Sequence, residues 1–106
     1  MNLLFICSRN QWRSPTAEKI FKGRPGIQTR SAGTENSARI RVSEKMLIWA
    51  DLIFVMEKKH KIRLIEKFSS VGSGKKIVVL DIPDEYQFMD AELIDALTAS
   101  VEPYLK

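Results

Sequence analysis

Residues 3–21 read LLFICSRNQWRSPTAEKIF. Leu3 to Ile6 is an unbroken apolar run, the pattern of a strand buried on both faces. Ser14-Pro15 then reads as a helix start. The serine can serve as N-cap, and proline fits the first helical position, where its missing N–H costs nothing. Ala17, Ile20 and Phe21 form an inward stripe, and Gly23, Pro25 and Gly26 end the helix. The single cysteine of the chain, Cys7, falls where strand gives way to loop, and Arg13 follows six residues later.

Working outward, Ile27 to Ala32 reads as a short second strand closed by Gly33. Residues 34–42 are polar and carry no periodic signal. Ser43 can cap a short helix with Met46, Leu47 and Ile48 inward. Leu52 to Met56 is a third apolar run, followed by a helix over Lys58 to Phe68 with Ile62, Ile65 and Phe68 on one side. Val71 to Lys76 reads as a loop, Ile77 to Leu80 as the last strand, and Asp81 to Met89 as a second loop. Asp90 then caps a helix carrying Leu93, Ile94, Leu97 and Val101. Short buried strands alternating with helices predict an α/β fold: three layers, α/β/α, around a four-stranded parallel sheet. In such sheets the ligand site lies outside the C-terminal strand ends. That rule gathers Cys7, Gly33, Glu57 and the Asp81–Asp84 loop along one edge.

The 106 residues fit one domain, 1–106. A hydrophobic content of 44% and a charged content of 28% are ordinary for a globular protein. No apolar run reaches the roughly 20 residues needed to span a membrane. Met1-Asn2 followed by four apolar residues is too short and uncharged for a secretory signal. One cysteine cannot form an internal disulfide, so a reducing, cytoplasmic setting is expected and the thiol is judged on its reactivity. Seventeen Lys+Arg against thirteen Asp+Glu leave +4, which suits an anionic partner such as a phosphate ester and leaves nucleic acid as a weaker alternative.

The loop Cys7-Ser8-Arg9-Asn10-Gln11-Trp12-Arg13-Ser14 joins a strand to a helix N-terminus. Such a loop can aim several backbone N–H groups, and the helix dipole, at one point, making an anion cradle. Arg13 adds a planar fork able to take two phosphate oxygens. A cation at a helix N-terminus opposes the dipole unless an anion is expected there. Positive potential around Cys7 favours its thiolate, and a thiolate under a phosphate pocket is a phosphoryl-accepting nucleophile. The same donors would stabilise the transferring group. Ser14 could donate its hydroxyl to the thiolate, and Asn10 tolerates the left-handed backbone of a curled loop. The alternative for Cys7 is an inert buried strand cysteine, which the Arg13 spacing and the Ser-Pro helix start disfavour.

FICSRNQWRSPTAE (residues 5–18) resembles the phosphate-binding loop of the low-molecular-weight protein tyrosine phosphatase family, Cys-x5-Arg-Ser-Pro. RSAGT (30–34) resembles its second strand and turn, ADLIFVME (50–57) its third strand, and DIPDEY (81–86) the loop carrying its general acid. The resemblance implies a cysteine-dependent phosphomonoesterase of protein-tyrosine-phosphatase type, working through a phosphocysteine with no cofactor. Cys7 is then the nucleophile, Arg13 the phosphate fork and Asp84 the acid. Ser8, Arg9, Asn10, Gln11, Trp12, Arg13 and Ser14 form the phosphate-binding set, with Tyr86 either flanking the cleft, as in the family, or partly buried under its loop. Asp84 aligns better than Asp81 with the family's Asp-Pro-Tyr, although Glu85 stands in place of proline; Asp81 reads better as a turn residue beside Pro83.

Three departures stand out. Arg9 replaces the family's usual glycine, and Trp12 stands where a second cysteine is common. Fifteen residues separate SAGT from ADLIFVME, where relatives carry a longer segment, so a more open cleft is expected. A non-catalytic phosphate, phosphopeptide or nucleic-acid binding module is therefore the main alternative. Arsenate reduction, performed by related folds, would need external thiols because the chain has only Cys7. Elsewhere, His60 reads as a solvated residue in a basic helix start, Glu57 as a helix-start residue that could also approach the cleft from the third strand end, and Trp49 as core. No metal-ligand spacing surrounds Cys7.

Overall fold

The structure is a computed structural model that describes residues 1–68 and 74–105. Its elements are β1 (Asn2–Cys7), α1 (Arg13–Phe21), β2 (Gln28–Gly33), α2 (Glu44–Trp49), β3 (Leu52–Val55), α3 (Lys58–Lys67), β4 (Ile77–Val79) and α4 (Ala91–Val101). A 3-10 turn at Glu102–Tyr104 follows α4. The four strands form one all-parallel sheet in the order β2-β1-β3-β4. β1 pairs with β2 from Asn2↔Gln28 to Cys7↔Gly33, and with β3 from Leu3↔Leu52 to Ile6↔Val55.

The pleat of β1 divides the core. Leu3, Phe5 and Cys7 face one side with Phe54 and Met56, where Ala17 and Phe21 of α1 and Leu93, Leu97 and Val101 of α4 pack on them. Leu4 and Ile6 face the other side with Ala32, Ile53 and Val55, under Leu47 of α2 and Leu64 of α3. Phe5 is stacked between Phe21 and Phe54, with centroids 5.8 and 5.4 Å away. This is the expected three-layer α/β/α arrangement. After β2 the chain crosses to the other side of β1, so the β1 and β3 ends form the crevice where doubly wound sheets hold ligands.

Several local expectations are corrected. Helix α1 begins at Arg13, so Ser14 is not its N-cap; Trp12 holds that position without a capping side chain. Pro15 is the third helical residue, still within the first turn, whose N–H groups lack helical partners. On α3 the inward residues are His60 and Leu64, four apart, while Ile62 and Ile65 are 48% and 37% exposed. Ile62 lies roughly half a turn round from His60, so both cannot face the sheet. Ile48 is likewise exposed beside buried Leu47. Ser43 caps α2 as expected, accepting from the Met46 N–H at 3.3 Å, and Asp90 caps α4, accepting from the Glu92 N–H at 2.9 Å. Val71-Gly72-Ser73 of the expected loop lies outside the described residues. Among the described residues, no helix is long and apolar enough to cross a membrane.

Candidate active site

The loop after β1 is pinned from outside by the segment that carried no periodic signal. The carbonyls of Cys7, Ser8 and Arg9 accept from the N–H groups of Thr34, Glu35 and Arg39, each at 3.0 Å. The Asn10 carbonyl accepts from Arg39 Nε at 3.1 Å. With four successive carbonyls drawn outward, the amides are left for the concave side. Among the described residues, none of the Arg9–Arg13 N–H groups donates to a protein acceptor. Such a ring of unpaired donors at a helix N-terminus is an anion cradle.

Asn10 makes the curl possible. It adopts a left-handed φ of 56° and is fully buried. Its Nδ2 donates to Ser14 Oγ at 2.8 Å and to Ser31 Oγ at 2.9 Å, tying loop to helix and to β2. Ser14 Oγ lies 3.0 Å from Cys7 Sγ. Gly33 admits the loop: a Cβ there would sit 2.5 Å from the Ser8 carbonyl oxygen and 3.0 Å from the Asn10 nitrogen.

Arg13 is 2% exposed. Its Nη1 donates to Glu57 Oε2 at 2.6 Å and to the Ile82 carbonyl at 2.8 Å, and its Nε lies 3.7 Å from Asp84 Oδ1. The Nη1 corner of the guanidinium is thus anchored to the end of β3 and the loop after β4. Burial pushes the Glu57 carboxyl up, but the Arg13 hydrogen bond and charge, with Lys59 and His60, outweigh it and leave the group below the ordinary carboxylate value. Burial first, then the Arg13 charge, lowers His60 from 6.5 to about 4. The ring is therefore neutral at neutral pH. The Glu57 N–H donates to Nδ1 at 3.1 Å, so the proton sits on Nε2, which donates to Ser8 Oγ at 2.9 Å. The Ser8 hydroxyl hydrogen is left for another acceptor.

These groups surround a pocket of about 290 Å³. Its lining combines the buried Cys7, Ser8 and Arg13 with the more exposed Arg9, Gln11, Trp12, Glu35, Lys59 and Asp84.

No family model and no curated protein sequence matches the chain. Solved structures do. The tyrosine phosphatase Wzb from Escherichia coli K30, in complex with phosphate, superposes with a TM-score of 0.78 at 20% identity, over 97% of this chain and 94% of the other. The low molecular weight protein tyrosine phosphatase SP-PTP from Streptococcus pyogenes gives 0.79 at 18% identity, over 98% and 90%. The YwlE arginine phosphatase from Geobacillus stearothermophilus gives 0.70 at 21%, over 96% and 86%. The chain has the low-molecular-weight protein tyrosine phosphatase fold.

On this fold the expected site residues separate. Cys7, Ser8, Arg9, Gln11, Trp12, Arg13 and Asp84 line the pocket, while Asn10 and Ser14 are buried beneath it and hold its shape. Asp81 has a left-handed φ of 56° and lines a separate depression with Glu57, Lys58, Lys59 and Pro83. Tyr86 does not line the pocket; it is half-buried against the α1/α4 side of the core, and the pocket's aromatic is Trp12, 43% exposed. His60 is 1% exposed, which corrects its solvated reading: the Glu57–His60 spacing is that of a helix N-cap and its third residue, and the ring turns inward to serve it. Glu57 does helix-start duty and also holds Arg13. The position of Glu57 at a strand end and the cap-like spacing to His60 were the available signals for both.

Proposed function

We propose that the chain is a cysteine-dependent phosphatase that hydrolyses phosphate monoesters through a phosphocysteine. The observation that carries this reading is Cys7 Sγ inside a pocket ringed by the unpaired Arg9–Arg13 amides, 3.0 Å from a serine hydroxyl. The phosphate bound to Wzb and the phosphatase names of the structural neighbours support it.

The phosphate oxygens occupy the amide ring, with the free edge of Arg13 across two of them and the Ser8 hydroxyl donating to another. The Ser14 hydroxyl donates to the Cys7 thiolate and keeps its charge on sulfur. The thiolate attacks phosphorus, the P–O bond to the leaving group breaks, and the Asp84 carboxyl gives that oxygen its proton. A water then attacks phosphorus, the Asp84 carboxylate takes its proton, the P–S bond breaks, and thiolate and inorganic phosphate are released. His60 acts through Ser8 and Glu57 through Arg13; both are positioning residues. Preformed donors that meet charge as it develops supply most of the rate.

Turnover of p-nitrophenyl phosphate by wild type and by Cys7→Ser tests this. Wild-type turnover abolished by the serine is expected. Turnover that survives it, or tight phosphate binding by a wild type that hydrolyses nothing, would overturn the catalytic reading.

A further inference from the structure

A second depression, about 560 Å³, adjoins the pocket, and Gln11 lines both. Its floor is one face of α1: Pro15, Glu18, Lys19 and Lys22 stand at positions i, i+3, i+4 and i+7, opposite the Ala17–Phe21 stripe buried in the core. One wall is Phe88, 47% exposed, with Lys19 Nζ 5.6 Å from its ring centroid. The other wall is Arg39.

Both walls are fixed to the catalytic loop or its helix. Arg39 is held by the Arg9 and Asn10 carbonyls, and the residue after Phe88, Met89, donates its N–H to Thr16 Oγ1 at 2.9 Å. The segment that carries Asp84 into the pocket therefore continues into the groove wall. The charge is one-sided. Lys19, Lys22 and Arg39 face the groove against Glu18 alone, and Glu18 Oε1 already accepts from Ser31 Oγ at 2.6 Å.

We propose that this groove holds the polypeptide flanking the phosphorylated residue of a protein substrate, and that it selects an acidic flank. The inference rests on the phosphatase reading and deepens it: the substrate is a phosphoprotein with Asp or Glu near the phosphosite, not a small metabolite. A phosphate ester anchored in the pocket leads its chain over Gln11 onto the helix face. There carboxylates meet Lys19, Lys22 and Arg39, and apolar side-chain surface meets Phe88. A metabolite fills the pocket and has nothing to lay in a groove nearly twice its volume.

The experiment compares phosphotyrosyl peptides whose flanks, on either side, are Asp/Glu-rich, Ala-rich or Lys-rich. Two readouts run in parallel: kcat/KM with wild type, and binding by fluorescence anisotropy with Cys7→Ser. Acidic peptides on one side are expected to gain about five- to tenfold over alanine peptides, as two or three exposed ion pairs would give. The gain should shrink with added salt. Lys19→Glu/Lys22→Glu should reverse the preference and Lys19→Gln/Lys22→Gln should erase it, both with p-nitrophenyl phosphate turnover unchanged. Equal values for acidic and alanine flanks, or a preference that survives both double variants, would overturn the groove assignment. If wild type fails on p-nitrophenyl phosphate yet the acidic preference persists in binding, the catalytic reading falls and the groove stands.

Discussion

At the residue scale, the chemistry rests on side chains that the loop brings together. The pairing of Cys7 with Arg13 and Ser14 was legible because it is local: spacing across one strand-loop-helix junction nearly fixes it. Glu57 was legible as a helix start at the site edge, but its hold on Arg13 and the His60 contact with Ser8 were not, because they exist only once the end of β3 lies beside the β1 loop. Between the two candidate acids, the proposed mechanism takes Asp84 because of its position. Its carboxylate lies 3.7 Å from Arg13 Nε in the pocket, whereas Asp81 lines a different depression. Asp84→Asn is therefore expected to lower kcat on p-nitrophenyl phosphate by about 10²–10³, within the range of a lost general acid. Asp81→Asn should change it by less than about threefold, and the opposite ranking would reassign the acid.

At the element scale, alternating apolar runs and helical stripes predict the sheet and helices well, because the central strands β1 and β3 are buried on both faces. Residues 34–42 were illegible for a physical reason. Their order comes from hydrogen bonds to the loop's carbonyls and from Gly33–Val42 pairing, not from an apolar face with a period. The α3 stripe departs from its apolar count because a reciprocal cap turns His60 inward and Leu64, four residues on, shares that face, leaving Ile62 and Ile65 exposed. The same tie between segment and loop makes Gly33 a point of control. In Gly33→Ala the new Cβ meets backbone, which cannot swing aside as a side chain would. The variant should stay folded with a lowered Tm and lose about a hundredfold in kcat/KM, since small misplacements of a catalytic loop cost that much. Unchanged kinetics would show that the close approach does not set the loop.

At the scale of the whole molecule, the buried neutral His60 links stability to pH. Its folded value of about 4 lies below the ordinary 6.5, so the unfolded chain binds the proton more readily. This contribution is intact above 6.5, declines as pH falls from 6.5 towards 4, and levels off below 4 at a loss of up to about 3 kcal/mol. Glu57, lowered in the folded state, acts in the same direction: its contribution is present at neutral pH and lost as the pH falls through its folded value. Urea unfolding of wild type and His60→Gln between pH 4 and pH 7.5 should show parallel curves at the top of this range and a steeper fall for wild type below 6.5. Identical slopes would mean that His60 is charged or exposed in the fold.

The fold, the pocket and the two positioning pairs converge on a single claim, that Cys7 carries the phosphoryl group during turnover. Mass spectrometry of protein acid-quenched during steady-state hydrolysis of p-nitrophenyl phosphate tests it directly, with Asp84→Asn used to slow release. The account predicts one phosphoryl group on the peptide containing Cys7, absent from Cys7→Ala. An active enzyme with no adduct at any quench time, or with the phosphoryl group on another residue, would contradict it.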